Sequence, residues 1–90
     1  MDKINRINKY RVLDLFAGCG GLSEGLERAG FNIVVANEVW HPAAETYKKN
    51  HPHTIMIEGD ITNPKTKKQV VDACRGGIDL IVGGPPCQAY

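Results

Sequence analysis

Ninety residues with a formal net charge of +1 and three cysteines bound what this chain can be. At that length it is one domain at most, with a core that buries only about two-thirds of the unfolded surface. The near-neutral charge gives no basic footprint for nucleic acid, though it leaves open contacts made elsewhere. No apolar run reaches the length of a membrane span.

Cys19, Cys74 and Cys87 are odd in number and form no C-x-x-C pair. That argues against a disulfide scaffold and for a reduced, intracellular setting, so a cytoplasmic location is expected. The first ten residues carry no apolar signal-peptide core and read as an N-terminal extension. Residues 11–90 read as one partial domain that stops just after the Pro-Cys-Gln loop. The abrupt end at Tyr90 suggests the front part of a larger protein.

The remaining pattern alternates strand and helix. Tyr10-Arg-Val-Leu-Asp-Leu-Phe16 is an apolar-rich first strand ending at glycines. Gly20 to Ala29 reads as a helix, with Leu22 and Leu26 at i,i+4 and Gly30 as its stop. Phe31 to Ala36 is a β-branched second strand. Pro42 suits the first turn of a helix running to about Asn50, with Ala43, Ala44 and Tyr47 on one side. Thr54 to Ile57 is a short third strand. Lys65 to Cys74 is an amphipathic helix carrying Val70, Val71 and Cys74, closed by Gly76-Gly77. Asp79 to Val82 is the fourth strand.

This alternation implies right-handed crossovers and a parallel sheet. The expected fold is α/β and Rossmann-like, with strand order 3-2-1-4. In that order strand 4 lies beside strand 1. The loops after those two strands become neighbours, although some seventy residues separate them in the chain.

Three of the strand ends carry residues suited to a nucleotide-like ligand. Phe16-Ala-Gly-Cys-Gly-Gly-Leu22 joins strand 1 to its helix. Its glycines permit a sharp turn and close approach, and a helix N-terminus offers free N–H groups. The dinucleotide fingerprint G-x-G-x-x-G has glycine where Ser23 stands, so a nicotinamide dinucleotide suits the loop poorly. Glu38, about twenty residues on, can accept hydrogen bonds from both ribose hydroxyls. Asp60 follows strand 3 and can accept from an adenine amino group, with Ile61 against the ring. Each has a plainer reading: a tight turn, a surface carboxylate, a turn cap. Their order after strands 1, 2 and 3 favours the joint reading.

Cys87 follows the fourth strand in Gly83-Gly-Pro-Pro-Cys-Gln88. The prolines stiffen the backbone in front of it. A thiol past the carboxyl end of a parallel strand is placed as a nucleophile. Taken alone, it reads more readily as a small apolar side chain in a turn.

Four stretches together resemble the C5-cytosine DNA methyltransferase family. They are Asp14-Leu-Phe-Ala-Gly-Cys-Gly-Gly-Leu22, Asn37-Glu38, Gly59-Asp-Ile61 and Gly84-Pro-Pro-Cys-Gln88. They follow the family's order and nearly its spacing, and they span most of residues 11–90.

The resemblance implies S-adenosylmethionine as cofactor, held by Phe16, Ala17, Gly18, Gly20, Gly21, Leu22, Glu38, Val39, Asp60, Ile61 and Pro86. It implies Cys87 as the catalytic nucleophile, adding to carbon 6 of a cytosine flipped out of double-stranded DNA. The resemblance also sets Trp40 apart, because many relatives carry an acidic residue there. Cys19 sits at a variable position and is given no chemical role.

Relatives carry a Glu-Asn-Val segment, an arginine pair and a target-recognition region later in the chain. None of these occurs in residues 1–90. The chain is therefore expected to be inactive alone and to leave strand 4 as an open edge, with a second polypeptide supplying the missing motifs as a candidate partner. A bacterial restriction-modification context is the implied setting. A tRNA cytosine methyltransferase, or a cofactor-binding subunit of a split enzyme, remains the alternative. No metal is expected: His41, His51 and His53 are read as solvated, as is the Lys65, Lys67, Lys68 cluster.

Overall fold

A computed structural model describes residues 10–84. Four parallel strands form one sheet in the order β3-β2-β1-β4, with β1 at Arg11–Asp14, β2 at Asn32–Glu38, β3 at Ile55–Glu58 and β4 at Leu80–Val82. The helices α1 (Gly21–Arg28), α2 (His41–Asn50) and α3 (Pro64–Ala73) are the crossovers between successive strands. The expected α/β architecture and strand order are both present.

Strand ends differ from the sequence reading for identifiable reasons. β1 stops at Asp14 because Phe16 takes a positive φ of 55° and turns the chain. β2 runs two residues past its apolar stretch, through Asn37 and Glu38. There Asn37 pairs with Ile57 and Glu38 with Glu58. The ladder continues through polar residues because a neighbouring strand is present to bond them. A bulge lies in the β1–β2 pairing: Val12 is opposite Ile33 and Leu13 is opposite Val35, so Val34 is skipped.

The sheet is covered on both faces. On one, Leu13, Val35 and Val70 are buried, with Leu15, Ile57, Ile61 and Cys74 packed around them. On the other, Ala17, Ala36 and Tyr47 are buried against Met56. α2 buries Ala43, Ala44 and Tyr47, the side its spacing predicts, with a proline in its first turn. In α3, Asn63 caps the N-terminus by accepting from Lys65 N–H at 2.8 Å. Its buried residues are Thr66 and Val70, whereas Val71 is exposed.

α1 departs further. Its buried residue is Ser23, while Leu22 is exposed. This two-turn helix turns a hydroxyl toward the sheet because a buried carboxylate waits there.

β4 ends the sheet order, and its Leu80 and Ile81 are 40% and 61% exposed. It is held at its entrance by Arg11, whose N–H donates to Asp79 Oδ2 at 2.7 Å and whose Nε–H donates to Gly77 O at 2.7 Å.

Candidate cofactor site

The carboxyl ends of β1, β2 and β3 are stitched together by hydrogen bonds. Ala17 N–H donates to Asn37 O at 2.9 Å. Gly18 N–H donates to Glu38 Oε1 at 2.7 Å, and Trp40 N–H donates to Glu38 Oε2 at 2.9 Å. Glu38 thus spans the glycine loop and the start of α2 with one side chain. Each oxygen keeps a second lone pair for a hydroxyl.

Asn37, quoted above only as part of a motif, is the clamp for the next loop. It is buried, and its Nδ2 donates to Ile57 O at 2.7 Å and Gly59 O at 3.0 Å. Gly59 N–H in turn donates to Glu38 O at 2.9 Å. Gly59 adopts φ 148°, and a Cβ there would lie 2.6 Å from Thr66 Oγ1. Only glycine lets the chain pass so close to α3.

Asp60 follows directly. Its Oδ1 accepts from Thr62 N–H at 2.9 Å and from Thr62 Oγ1 at 2.7 Å. The Thr62 bonds, backbone first, hold its carboxyl below the usual carboxylate range. The ionised group is therefore oriented, with Oδ2 left to accept. Ile61 is half-buried against the core beside it.

The glycine loop supplies a cradle. A Cβ on Gly18 or on Gly21 would meet nothing within 4 Å. The N-terminus of α1 has no side-chain cap, so its first N–H groups are free to meet a ligand. Phe16 and Leu22 are exposed at 43% and 45%, and Val39 at 59%, large apolar groups left at the same strand ends. Ala17 differs: its side chain is buried in the core with Ala36 and Tyr47, so it offers a ligand only its backbone.

Beneath the loop lies a polar cluster that pattern reading missed. Asp14, at the end of β1, is fully buried. Ser23 Oγ donates to its Oδ2 at 2.6 Å, and Ser23 Oγ lies 2.7 Å from Tyr47 OH. Burial pushes the Asp14 carboxyl upward, partly opposed by the Ser23 bond.

His51 belongs to this cluster and is not solvated: it is 4% exposed, with its ring stacked 4.5 Å from that of Tyr47. Its Nδ1–H donates to Glu27 at 2.8 Å. The reason is topological: the last turn of α2 runs under the glycine loop. His41 is exposed and lies 2.8 Å from Glu58, with Glu45 near and paired to Lys48.

Pro86 and Cys87 lie outside the described residues. The segment leading to them starts beside the glycine loop: Leu15 N–H donates to Val82 O at 2.8 Å, and Gly83 packs against the Leu15 carbonyl. Of the other cysteines, Cys19 is exposed and Cys74 is half-buried, its thiol pushed up by burial. No helix among the described residues is long and apolar enough to cross a membrane.

Comparison with known proteins agrees with this arrangement. The family model for C-5 cytosine-specific DNA methylases matches residues 10–90. Type II methyltransferase M.NgoPII of Neisseria gonorrhoeae is 46% identical over 83 residues, which are 92% of this chain and 23% of that protein. DNA (cytosine-5)-methyltransferase 1 of Mus musculus is 35% identical over 98 residues, covering 94% of this chain and 6% of its own length.

Among solved structures, one described as a prophage-encoded DNA modification methyltransferase of E. coli superposes with TM-score 0.72 at 40% identity. It covers 88% of this chain and 23% of that one. A variant of Spodoptera frugiperda DNMT2 superposes with TM-score 0.67 at 28% identity, covering 90% of this chain and 24% of its own. The chain thus spans about a quarter or less of these relatives' lengths. With the family model matching residues 10–90, this chain belongs to the C-5 cytosine-specific DNA methylase family.

Proposed function

We propose that this chain carries the cofactor pocket and the nucleophile of an enzyme that methylates carbon 5 of cytosine in double-stranded DNA. The supporting observation is the joining of Gly18, Glu38 and the Asp60 loop at three adjacent strand ends, in a chain of this family.

The residues suit S-adenosylmethionine. The open faces of Gly18 and Gly21 and the uncapped start of α1 would take its methionine portion, with Phe16, Gly20, Leu22 and the Ala17 backbone around it. Glu38 would accept from the ribose hydroxyls and Asp60 Oδ2 from the adenine amino group. Val39 and Ile61 would lie against the ring, and Pro86 would lie close to the cofactor. When bound, the cofactor supplies a methyl group made electrophilic by its sulfonium.

Cys87 would act on the base. Carbon 5 of cytosine is a poor nucleophile. Addition of the Cys87 thiolate to carbon 6 moves electron density to carbon 5 and splits one hard step into two easier ones. Once carbon 5 carries the methyl group, loss of its proton would let the thiolate leave and restore the ring. A free thiol is mostly protonated at neutral pH, so the reaction requires a site that favours the thiolate. The base must also leave the duplex, at a cost of about a few kcal/mol. Two residues separate Gly84 from Cys87, and the three Cα steps span at most about 11 Å.

The test is a graft. Residues 10–90 replace the matching segment of M.NgoPII, whose name and 46% identity make it a suitable host. The chimera is expected to methylate duplex DNA and to form an adduct with DNA containing 5-fluorocytosine. Cys87→Ser is expected to abolish both. Methylation that survives Cys87→Ser overturns the nucleophile assignment, and a folded chimera that traps only 5-fluorocytosine RNA overturns the substrate.

A further inference from the structure

The cluster under the glycine loop does more than fill space. Asp14 and Ser23 are fully buried, as is Tyr47, and they come from β1, α1 and α2. Their hydrogen bonds form one directed chain. An ionised Asp14 can only accept, so Ser23 donates to it, and Tyr47 O–H then donates to Ser23 Oγ. Tyr47 thereby fills an acceptor position on Ser23 Oγ and holds that hydroxyl toward Asp14.

Ser23 lies in the first turn of α1, two residues after the glycines whose open faces form the cradle. The ring of His51 lies directly below Gly20: a Cβ there would come 2.6 Å from His51 Nε2 and 3.0 Å from Tyr47 Cδ2. Two atoms of the cluster are buried without a hydrogen-bond partner among the described residues, Asp14 Oδ1 and His51 Nε2.

We propose that Tyr47 is a positioning residue for the cofactor loop, acting through Ser23 and the Gly20 turn and not by contact with the ligand. The inference rests on the cofactor reading given above. Tyr47 braces the loop from below at two points. Its hydroxyl orients Ser23 against Asp14, and its ring, stacked on His51, supports the left-handed turn at Gly20. Loss of the hydroxyl leaves the packing intact and leaves Ser23 held by Asp14 alone. The start of α1 then has more than one arrangement available, and a ligand that needs one of them binds less tightly.

The 90-residue chain, its fold checked by circular dichroism, is titrated calorimetrically with S-adenosylhomocysteine. Wild type is compared with Tyr47→Phe, Ser23→Ala, the double variant and Val70→Ala. Val70 is buried on the opposite face of the sheet and reports what general destabilisation does by itself. All titrations are run well below every melting midpoint, and amide exchange is followed at residues 20–24 without ligand.

The expected result is that Tyr47→Phe and Ser23→Ala each weaken binding by about tenfold, the effect of one buried hydrogen bond. The double variant binds no worse than the weaker single, because both break the same chain. Exchange at residues 20–24 quickens in these variants and is unchanged in Val70→Ala, which keeps wild-type affinity. Wild-type affinity in Tyr47→Phe, or an equal loss in Val70→Ala, overturns the inference while the cofactor reading stands. A folded wild-type chain that fails to bind brings down both.

Discussion

Gly18 N–H and Glu38 Oε1 meet at 2.7 Å, twenty residues apart in the chain. This bond makes the glycine loop and the proposed ribose acceptor one unit. Glu38 also holds Trp40 N–H, so its charge is shared by two backbone donors before any ligand arrives. Glu38→Ala removes both bonds, each worth about 1.5–3 kcal/mol as a bond to a charged group. Affinity for S-adenosylhomocysteine is expected to fall by about a hundredfold or more on that scale, measured by calorimetry. An Ala variant that binds like wild type would show that Glu38 does not serve the ligand.

Two neighbouring glycines are expected to separate fold from site. At Gly20, φ is 102° and a Cβ would collide with the His51 ring. Gly20→Ala should cost about 2–5 kcal/mol from the backbone conformation and overpacking combined. Thermal denaturation should show that as a loss of roughly 10 °C or more. At Gly21 a Cβ meets nothing. Gly21→Ala should leave the melting point unchanged or slightly raised, since alanine favours helix. It should still weaken S-adenosylhomocysteine binding, because the methyl enters the space assigned to the ligand.

Asp60 is exposed and its Oδ1 is committed to Thr62. Asp60→Ala is expected to weaken S-adenosylhomocysteine binding by about tenfold, on the scale of one hydrogen bond to a carboxylate. Its melting point should stay near wild type, because nothing buried is lost. The carboxyl titrates below its ordinary 3.8. Its small contribution to stability is therefore present above pH 3.8 and lost as pH falls through the lower folded value.

Asp14 has the opposite sign. Burial raises its folded pKa above 3.8, so the folded state holds its proton more tightly than the unfolded chain. The unfolded state then binds fewer protons in the interval from 3.8 up to the folded value, and stability falls as pH rises through it. Asp14→Asn removes that titration. Urea midpoints of wild type and Asp14→Asn should diverge across this interval in favour of the variant as pH rises. Parallel curves would mean that Asp14 is not desolvated in solution.

Much of the scaffold was legible in local pattern. β-branched runs marked the strands, Pro42 marked a helix start, and Gly76 and Gly77 closed α3, both with φ near 100°. Alternation of strand and helix was enough for the order 3-2-1-4, because right-handed crossovers leave few choices. Of the candidate site, the glycine loop, Glu38 and Asp60 could be read from their offsets after strands. Ser23, Asn37 and His51 could not be assigned their surroundings. Ser23 and Asn37 are polar residues in a helix and at a strand end, and hydropathy places such residues outside. Each is buried because a particular partner awaits it: Asp14 for Ser23, the Ile57 and Gly59 carbonyls for Asn37, Glu27 for His51.

Residue order alone determined the crossover fold, the family and the strand ends that carry the candidate site residues, because these follow from periodicity and from motifs a few residues long. Only the tertiary structure decided that α1 turns a serine inward and a leucine outward, and that the end of α2 supports the glycine loop. The physical cause is that a buried polar group is stable only beside its partner. Here the partners lie between 9 and 24 residues away in the chain, beyond the reach of local pattern.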